Sequence, residues 1–401
     1  MTPFDAAGFR RHFPALAHAG VYLDSAATAL KPQAMIDATT AFYQQSGVTV
    51  HRSQHAQAQA LTRHYESARE QVAALINAAH PQEIVWTRGA TEALNLVAQG
   101  YFRPRLQPGD ELLVSQAEHH ANLLPWLMLA EQTGAVVVPL PLDQHQIPDI
   151  DALAELLRPR TRLLALGQMS NVTGGCPDLA RAIALAHANN TLVVVDGAQG
   201  AVHNPPDVQA LGIDFYAFSA HKLYGPTGIG MLYGNLAHLN EMAAWQGGGK
   251  MISQVSFSGY TPQPVPHRFE AGTPNIAGVI GLSATLDWLA GQDLAAAEAY
   301  SRGLARDAEQ QLAAIPGFRS FRRSDASLLA FDFTDVHHSD MITLLAEQGI
   351  ALRAGQHCAQ PLMAQLGVSG TLRASFAPYN TPQDVGALVA AVHQARAMLL
   401  D

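Results

Sequence analysis

The sequence predicts an α/β protein, with a large domain built on a mainly parallel sheet and a smaller C-terminal α/β domain. Three observations carry this expectation. Apolar runs of strand length alternate with segments of helical period, from ELLVSQ at 111–116 to TLVVVDGA at 191–198. The runs lack the alternating polarity of a half-exposed strand, as expected of a sheet covered on both faces by helices. The polar clusters EHHAN (118–122), SNVTGG (170–175), DGAQG (196–200) and SAHK (219–222) each follow such a run. In a parallel sheet these positions share the carboxyl edge, where ligands bind.

Taken in order, residues 1–20 lack the continuous apolar stretch of a leader peptide and are expected to pack on the small domain. The large domain is expected over 21–280. Within it, strand ELLVSQ feeds helix NLLPWLMLAEQTG, strand AVVVPLPL feeds helix DALAELLRPRT, and strand RLLALGQMS feeds helix DLARAIALAHANN. TLVVV and FYAF supply two further strands. From Gly281 an alanine-rich helical segment runs to Ile315 and connects to the small domain, 281–401, with shorter strand-like pieces such as SLLAFDF at 327–333.

A chain of 401 residues, 48% hydrophobic and 14% charged, can bury a sizeable core. Its net charge of −9, without a lysine or arginine run, argues against nucleic acid and anionic membrane as partners. No stretch approaches the roughly 20 apolar residues of a membrane span, so a soluble cytoplasmic protein is expected. Two cysteines, Cys176 and Cys358, exclude a disulfide framework and a four-cysteine zinc site. The 18 histidines show no metal-ligand spacing, and no metal is expected.

Lys222 stands where the run ending at Phe218 leaves the sheet, followed by Gly225, Gly228 and Gly230. An ammonium there needs a partner or a covalent bond. Asp196 ends the run TLVVV and needs a cation in turn. A salt bridge between the two satisfies both. So does a cofactor ring whose nitrogen is protonated against Asp196 and whose aldehyde is captured by Lys222, the arrangement of pyridoxal phosphate. That second arrangement calls for a phosphate site and a group on the ring face. RGATEALN at 88–95 puts Gly89 and Thr91 ahead of a helical pattern, and Ser219 and His221 lie on the lysine's own loop. His119 or His120 can cover the ring; helix capping and solvation are the plain roles for the pair. Cys358, in RAGQHCAQP, has Arg353 and His357 nearby to stabilise a thiolate, with Gly355 as the turn residue. Cys176 lacks such neighbours and reads as structural. Arg373 can grip a carboxylate bidentately or serve as a surface ion-pair residue.

DGAQG, SAHKLYGPTGIG, EHHAN, FEAGTPN and RAGQHCAQP, together with YLDSAATALKP at 22–32 and LRASFAPYN at 372–380, span nearly the whole chain. In this order and spacing they resemble the class V aminotransferase-related enzymes of pyridoxal phosphate fold type I. Within these the likeness is to the group-II cysteine desulfurases, in particular the cysteine sulfinate desulfinase branch, the selenocysteine lyase-like enzymes. The resemblance implies Lys222 as the cofactor's covalent lysine, Asp196 on the pyridine nitrogen, Gln199 near the phenolic oxygen and His119 stacked on the ring. It implies Thr91, Ser219 and His221 on the phosphate, with Thr273 reaching the phosphate of a neighbouring subunit, hence a homodimer. Cys358 becomes the persulfide-forming residue, and Asn171, Arg373 and Arg353 face the substrate. Two positions depart from the family pattern: Ala90 stands where a threonine is frequent, and Gln356 where a histidine is usual.

The implied activity is conversion of cysteine to alanine with a persulfide on Cys358, handed on to a sulfur-acceptor protein docking nearby. Cysteine sulfinate and selenocysteine are the implied further substrates. An aminotransferase or kynureninase-like reaction on the same fold would not need Cys358, and a non-catalytic sulfur-carrier scaffold would not need Lys222, Asp196 and His119 together.

Overall fold

The computed structural model describes residues 4–400. Seven strands form the main sheet, in the order Ile84–Thr87, Gly230–Gly234, Phe215–Ser219, Leu192–Asp196, Thr161–Gly167, Glu111–Ser115, Val136–Leu140. Only Gly230–Gly234 runs antiparallel to its neighbours. Successive side chains of a strand point to opposite faces, and the packing follows that period. Leu113, Leu164, Leu166, Val193, Val195, Tyr216 and Phe218 enter one core, under helices Gln33–Gln45, Ala56–Leu75 and Ile276–Ala290. Leu112, Val114, Leu163, Ala165, Val194, Phe215 and Ala217 enter the other, under Ala90–Val97 and Leu124–Thr133. Strand Val136–Leu140 departs from the expected two-sided burial. It is the edge strand, Val136 is exposed, and Pro139 stands where no ladder N–H is required.

Strand Glu111–Ser115 lies between Val136–Leu140, which follows it in sequence, and Thr161–Gly167. The chain therefore reverses its direction of advance across the sheet there. Such a switch point opens a crevice beyond the strand ends.

The smaller sheet is antiparallel, in the order Phe318–Ser320, Leu328–Phe333, Thr371–Ser375, Arg353–Gly355. Leu294–Leu312, His338–Glu347 and Pro382–Leu400 cover one face through Leu304, Phe331, Leu345, Leu372 and Val392. On the other face Ala330 joins Ala359, Leu362 and Met363 against Val172 of the large sheet's side.

The helical stretch expected from 281 to 315 is two helices, Ile276–Ala290 and Leu294–Leu312. They break at Gly291, and the Asp293 side chain caps the second by accepting the Ala296 N–H. The first is buried nearly all round within the large domain. Val21–Tyr22 pairs in parallel with Ile350–Ala351 of the small sheet's neighbourhood, so the chain passes through the small domain before building the large one. Ahead of it, Phe9 and Phe13 pack with Tyr224 and Trp288 of the large domain, while Phe13 also meets Tyr379 and Phe4 meets Tyr300. The N-terminal segment thus bridges both domains. No helix among the described residues is long and apolar enough to cross a membrane.

Candidate active site

The crevice holds a cavity of about 230 Å³. Of the residues singled out in the sequence, Thr91, His119, Asn171, Asp196, Gln199, Ser219, His221, Lys222, Arg353, Cys358 and Arg373 all line it. Thr273 does not: it is exposed on the loop after Glu270. Cys176 is exposed on a different surface depression and makes a weak contact to the Gly174 carbonyl.

Strand Leu192–Asp196 delivers Asp196 to the inner wall, where it is 8% exposed and Oδ1 accepts the Ala198 N–H at 2.9 Å. Strand Phe215–Ser219 runs into a single 3-10 turn that ends on Lys222. No ion pair forms between the two among the described residues, so the salt-bridge account of them is set aside. Burial raises the Asp196 carboxyl above the usual range, opposed by its Ala198 hydrogen bond and by Lys222. Burial brings the Lys222 ammonium down to about 8, with Asp196 opposing and Arg373 and Arg353 assisting. The amine is therefore protonated below about pH 8 and neutral above it. In the cofactor-free protein, acylation of Lys222 should follow a midpoint at about 8, whereas an ordinary lysine titrates at about 10.4. Mass-spectrometric labelling across pH checks this, and a midpoint near the ordinary value would mean that the amine is not desolvated.

At the opposite end, strand Ile84–Thr87 turns through Gly89 into helix Ala90–Val97. Ser219 Oγ accepts the Ala90 N–H at 2.8 Å and so ties the helix start to the lysine loop. Gly230 allows this approach, since a Cβ there would lie 2.3 Å from Gly89 Cα. Thr91, Ser219 and His221 line this end. His221 is neutral, brought down to about 4 by burial and then by Lys222 and Lys31, and its Nδ1 meets Thr28 Oγ1 at 3.2 Å.

The two adjacent histidines divide their roles. His119 Nδ1 accepts the Ala121 N–H at 3.0 Å, which leaves Nε2 to carry the proton. Burial, then Lys222, lowers it to about 4, so the ring is a neutral donor at the cavity wall. His120 lies outside the cavity and holds the cysteine loop: its N–H donates to the Cys358 carbonyl at 2.7 Å, and its Nε2 accepts the Gln360 N–H at 3.2 Å.

That loop leaves strand Arg353–Gly355 with three residues at positive φ: Gly355 at 112°, His357 at 54° and Cys358 at 55°. Left-handed geometry is uncommon for non-glycine residues and persists where the surroundings over-determine it. Asn171 Nδ2 donates to the His357 carbonyl at 2.8 Å, and His357 Nε2 meets Thr371 Oγ1 at 2.9 Å. This corrects the expectation that His357 supplies positive charge to the thiol. It is buried in the small domain and brought down to about 3 by burial, then by Arg373. It fixes the loop, and the cations that share the cavity with Cys358 are Arg353, exposed at its rim, and the buried Arg373 and Lys222. Cys358 itself is exposed.

Arg373 is no surface residue: it is 1% exposed, opposite Arg353 in the sheet register. Nη1 donates to the Asn171 carbonyl at 2.8 Å and Nη2 reaches Asp24 Oδ1 at 3.3 Å, while Nε has no partner. Asn171 Oδ1 is also unpartnered. Gln199 Nε2 is held by the Ala26 carbonyl at 2.8 Å.

Two features were missed from the sequence. Glu118, next to His119, lines the cavity and is buried. Away from the cavity His51, Glu66 and His267 converge, but Glu66 is already hydrogen-bonded to His51 at 2.7 Å and to Arg69 at 2.8 Å.

A buried unpaired amine facing a buried carboxylate, with a helix start at one end and a guanidinium at the other, can hold an anionic carbonyl-bearing group beside a second carboxylate-bearing molecule. Comparison with known proteins places it. The family described as Aminotransferase class-V matches residues 21–388, and the chain belongs to that family. Within it the chain falls among the cysteine desulfurases. It is 67% identical over 401 residues, 100% of both chains, to the Escherichia coli protein named cysteine desulfurase CsdA. The crystal structure of that protein superposes with a TM-score of 0.95, covering 99% of this chain and 100% of the other. A more distant structure, the C-DES mutant with glycine covalently linked to its PLP cofactor, is 25% identical with a TM-score of 0.82, covering 96% and 98%.

Proposed function

We propose that this protein is a pyridoxal phosphate-dependent cysteine desulfurase that forms alanine and passes sulfur on from a persulfide at Cys358. The observation that carries the reading is the single cavity shared by Lys222, Asp196 and the strained Cys358 loop. The donor set fits the cofactor. Lys222 has an unpaired amine for the aldehyde and Asp196 an acceptor for the ring nitrogen, while Thr91, Ser219 and His221 would hold the phosphate and His119 would cover the ring. Gln199, which lines the same cavity, would serve the phenolic oxygen.

When bound, the cofactor supplies an electron sink for the substrate's α and β carbons. The chain's own groups do the rest. Arg373, with Asn171 and Arg353, receives the substrate carboxylate, and the unpartnered Nε of Arg373 is a donor still free for it. The Lys222 amine carries the α-proton, which its lowered basicity suits. His119 Nε2 handles the proton of the substrate thiol. Cys358 Sγ attacks the substrate sulfur, and the carbon–sulfur bond breaks with its electron pair on the β carbon. Protonation there gives alanine, and the sulfur stays as a persulfide for an acceptor protein. Cysteine sulfinate and selenocysteine present the same carboxylate and amine and are proposed as further substrates. A homodimer is also proposed, in which Thr273, exposed and outside its own chain's cavity, serves the neighbouring subunit's phosphate.

Asp196→Ala tests the cofactor side. Loss of a preorganised electrostatic partner is expected to lower turnover on the order of 10²–10³-fold, while the thermal midpoint stays close to that of wild type. A variant that melts far earlier yet keeps its specific activity would make Asp196 a core residue only.

A further inference from the structure

Glu118 is a second carboxyl at the inner end of the cavity, and the mechanism above does not use it. It is 4% exposed. Its Oε1 accepts the Gly167 N–H at 2.8 Å and its Oε2 accepts Asn122 Nδ2 at 2.8 Å. Asn122 cannot turn its amide round, because its Oδ1 accepts the indole N–H of Trp126 at 3.0 Å. Gly167 pairs with Asp196 across adjacent strands, which sets the two carboxyls side by side. No lysine, arginine or histidine forms an ion pair with Glu118 among the described residues. The groups that face it are the Ser115 hydroxyl from the strand below, Asn122 from the turn, the Gly167 amide from the next strand, and Asp196 from the one beyond.

We propose that Glu118 is a positioning residue that keeps its proton in the working protein, so that Asp196 is the one carboxylate charge at the inner end of the site. Two uncompensated anions in one buried pocket repel, and one of them must stay neutral. Lys222 faces Asp196 and favours its ionised form, whereas no cation among the described residues pairs with Glu118. Burial, reinforced by Asp196, pushes the Glu118 carboxyl up to about 8, opposed by Asn122, the Gly167 amide and the Ser115 hydroxyl. The hydrogen-bonded chain through Asn122 to Trp126 also fixes the turn that carries His119. The assignment of Asp196 to a ring nitrogen rests on the function proposed above; the protonation of Glu118 does not.

The test therefore uses cofactor-free protein. With isotopically labelled glutamate, infrared spectra should show one protonated glutamic-acid carbonyl band at about neutral pH that fades through about pH 8. Glu118→Gln should remove it. The sign for stability follows from linkage. The folded state holds a proton that the unfolded chain releases at about 4.5, so the contribution of Glu118 to wild-type stability declines from there to about 8 and does not change further above it. Glutamine lacks this decline, although it loses one acceptor at every pH. The thermal midpoint of the variant relative to wild type should thus rise between those limits. Absence of the band in wild type overturns the proposal even if the variant fails to fold. So does a midpoint difference that does not change with pH.

Discussion

Lys222→Ala is expected to leave no measurable turnover with cysteine, cysteine sulfinate or selenocysteine, and no covalently retained cofactor. Two functions vanish with one amine: the bond to the cofactor aldehyde and the carrier of the α-proton. A positioned acid–base group alone contributes roughly 10²–10⁴-fold, and loss of covalent capture adds to that. The fold is expected to survive, since the Lys222 amine has no hydrogen bond or ion pair among the described residues and is held in a desolvated place. Borohydride reduction of the wild type followed by peptide mapping should label Lys222. A label on Lys31, the other lysine near this loop, whose Nζ donates to the His221 carbonyl at 2.8 Å, would reassign the centre.

Cys358→Ala is expected to separate two substrates. In cysteine the sulfur departs without the bonding electrons, so a nucleophile must receive it, and Cys358 is the thiol in the cavity. From cysteine sulfinate the leaving group departs as sulfur dioxide, a stable neutral molecule that needs no receiver. The variant should therefore lose nearly all alanine formation from cysteine and keep a substantial part of that from the sulfinate. Alanine release from each substrate, with controls for added dithiothreitol, measures it. Equal loss on both would mean that Cys358 only holds its strained loop in place.

Most of the site was legible because each element announces its end. Asp196, Lys222 and His119 follow apolar strands, and parallel strands bring their carboxyl ends to one edge. Residues whose role depends on burial direction were not. His357 and Cys358 are neighbours in sequence, yet the left-handed backbone at both turns the histidine into the small domain while the cysteine stays exposed. Glu118 was overlooked beside two histidines because spacing does not say that no cation will meet it. Val21–Tyr22 is too short for any periodicity, and its partner Ile350–Ala351 lies at the other end of the chain. The break at Gly291 did carry a signal, an aspartate at the cap position of the next helix, and Pro139 likewise marked Val136–Leu140 as an edge strand.

The central claim is that sulfur from cysteine arrives on Cys358. Holoenzyme mixed with cysteine in the absence of any other thiol, then digested and mapped by mass spectrometry, tests it most directly. The expected result is one added sulfur on the peptide containing Cys358, removable by dithiothreitol and accompanied by an equal amount of alanine. Alanine formed with no sulfur on that peptide, or with the added sulfur on Cys176, would contradict it.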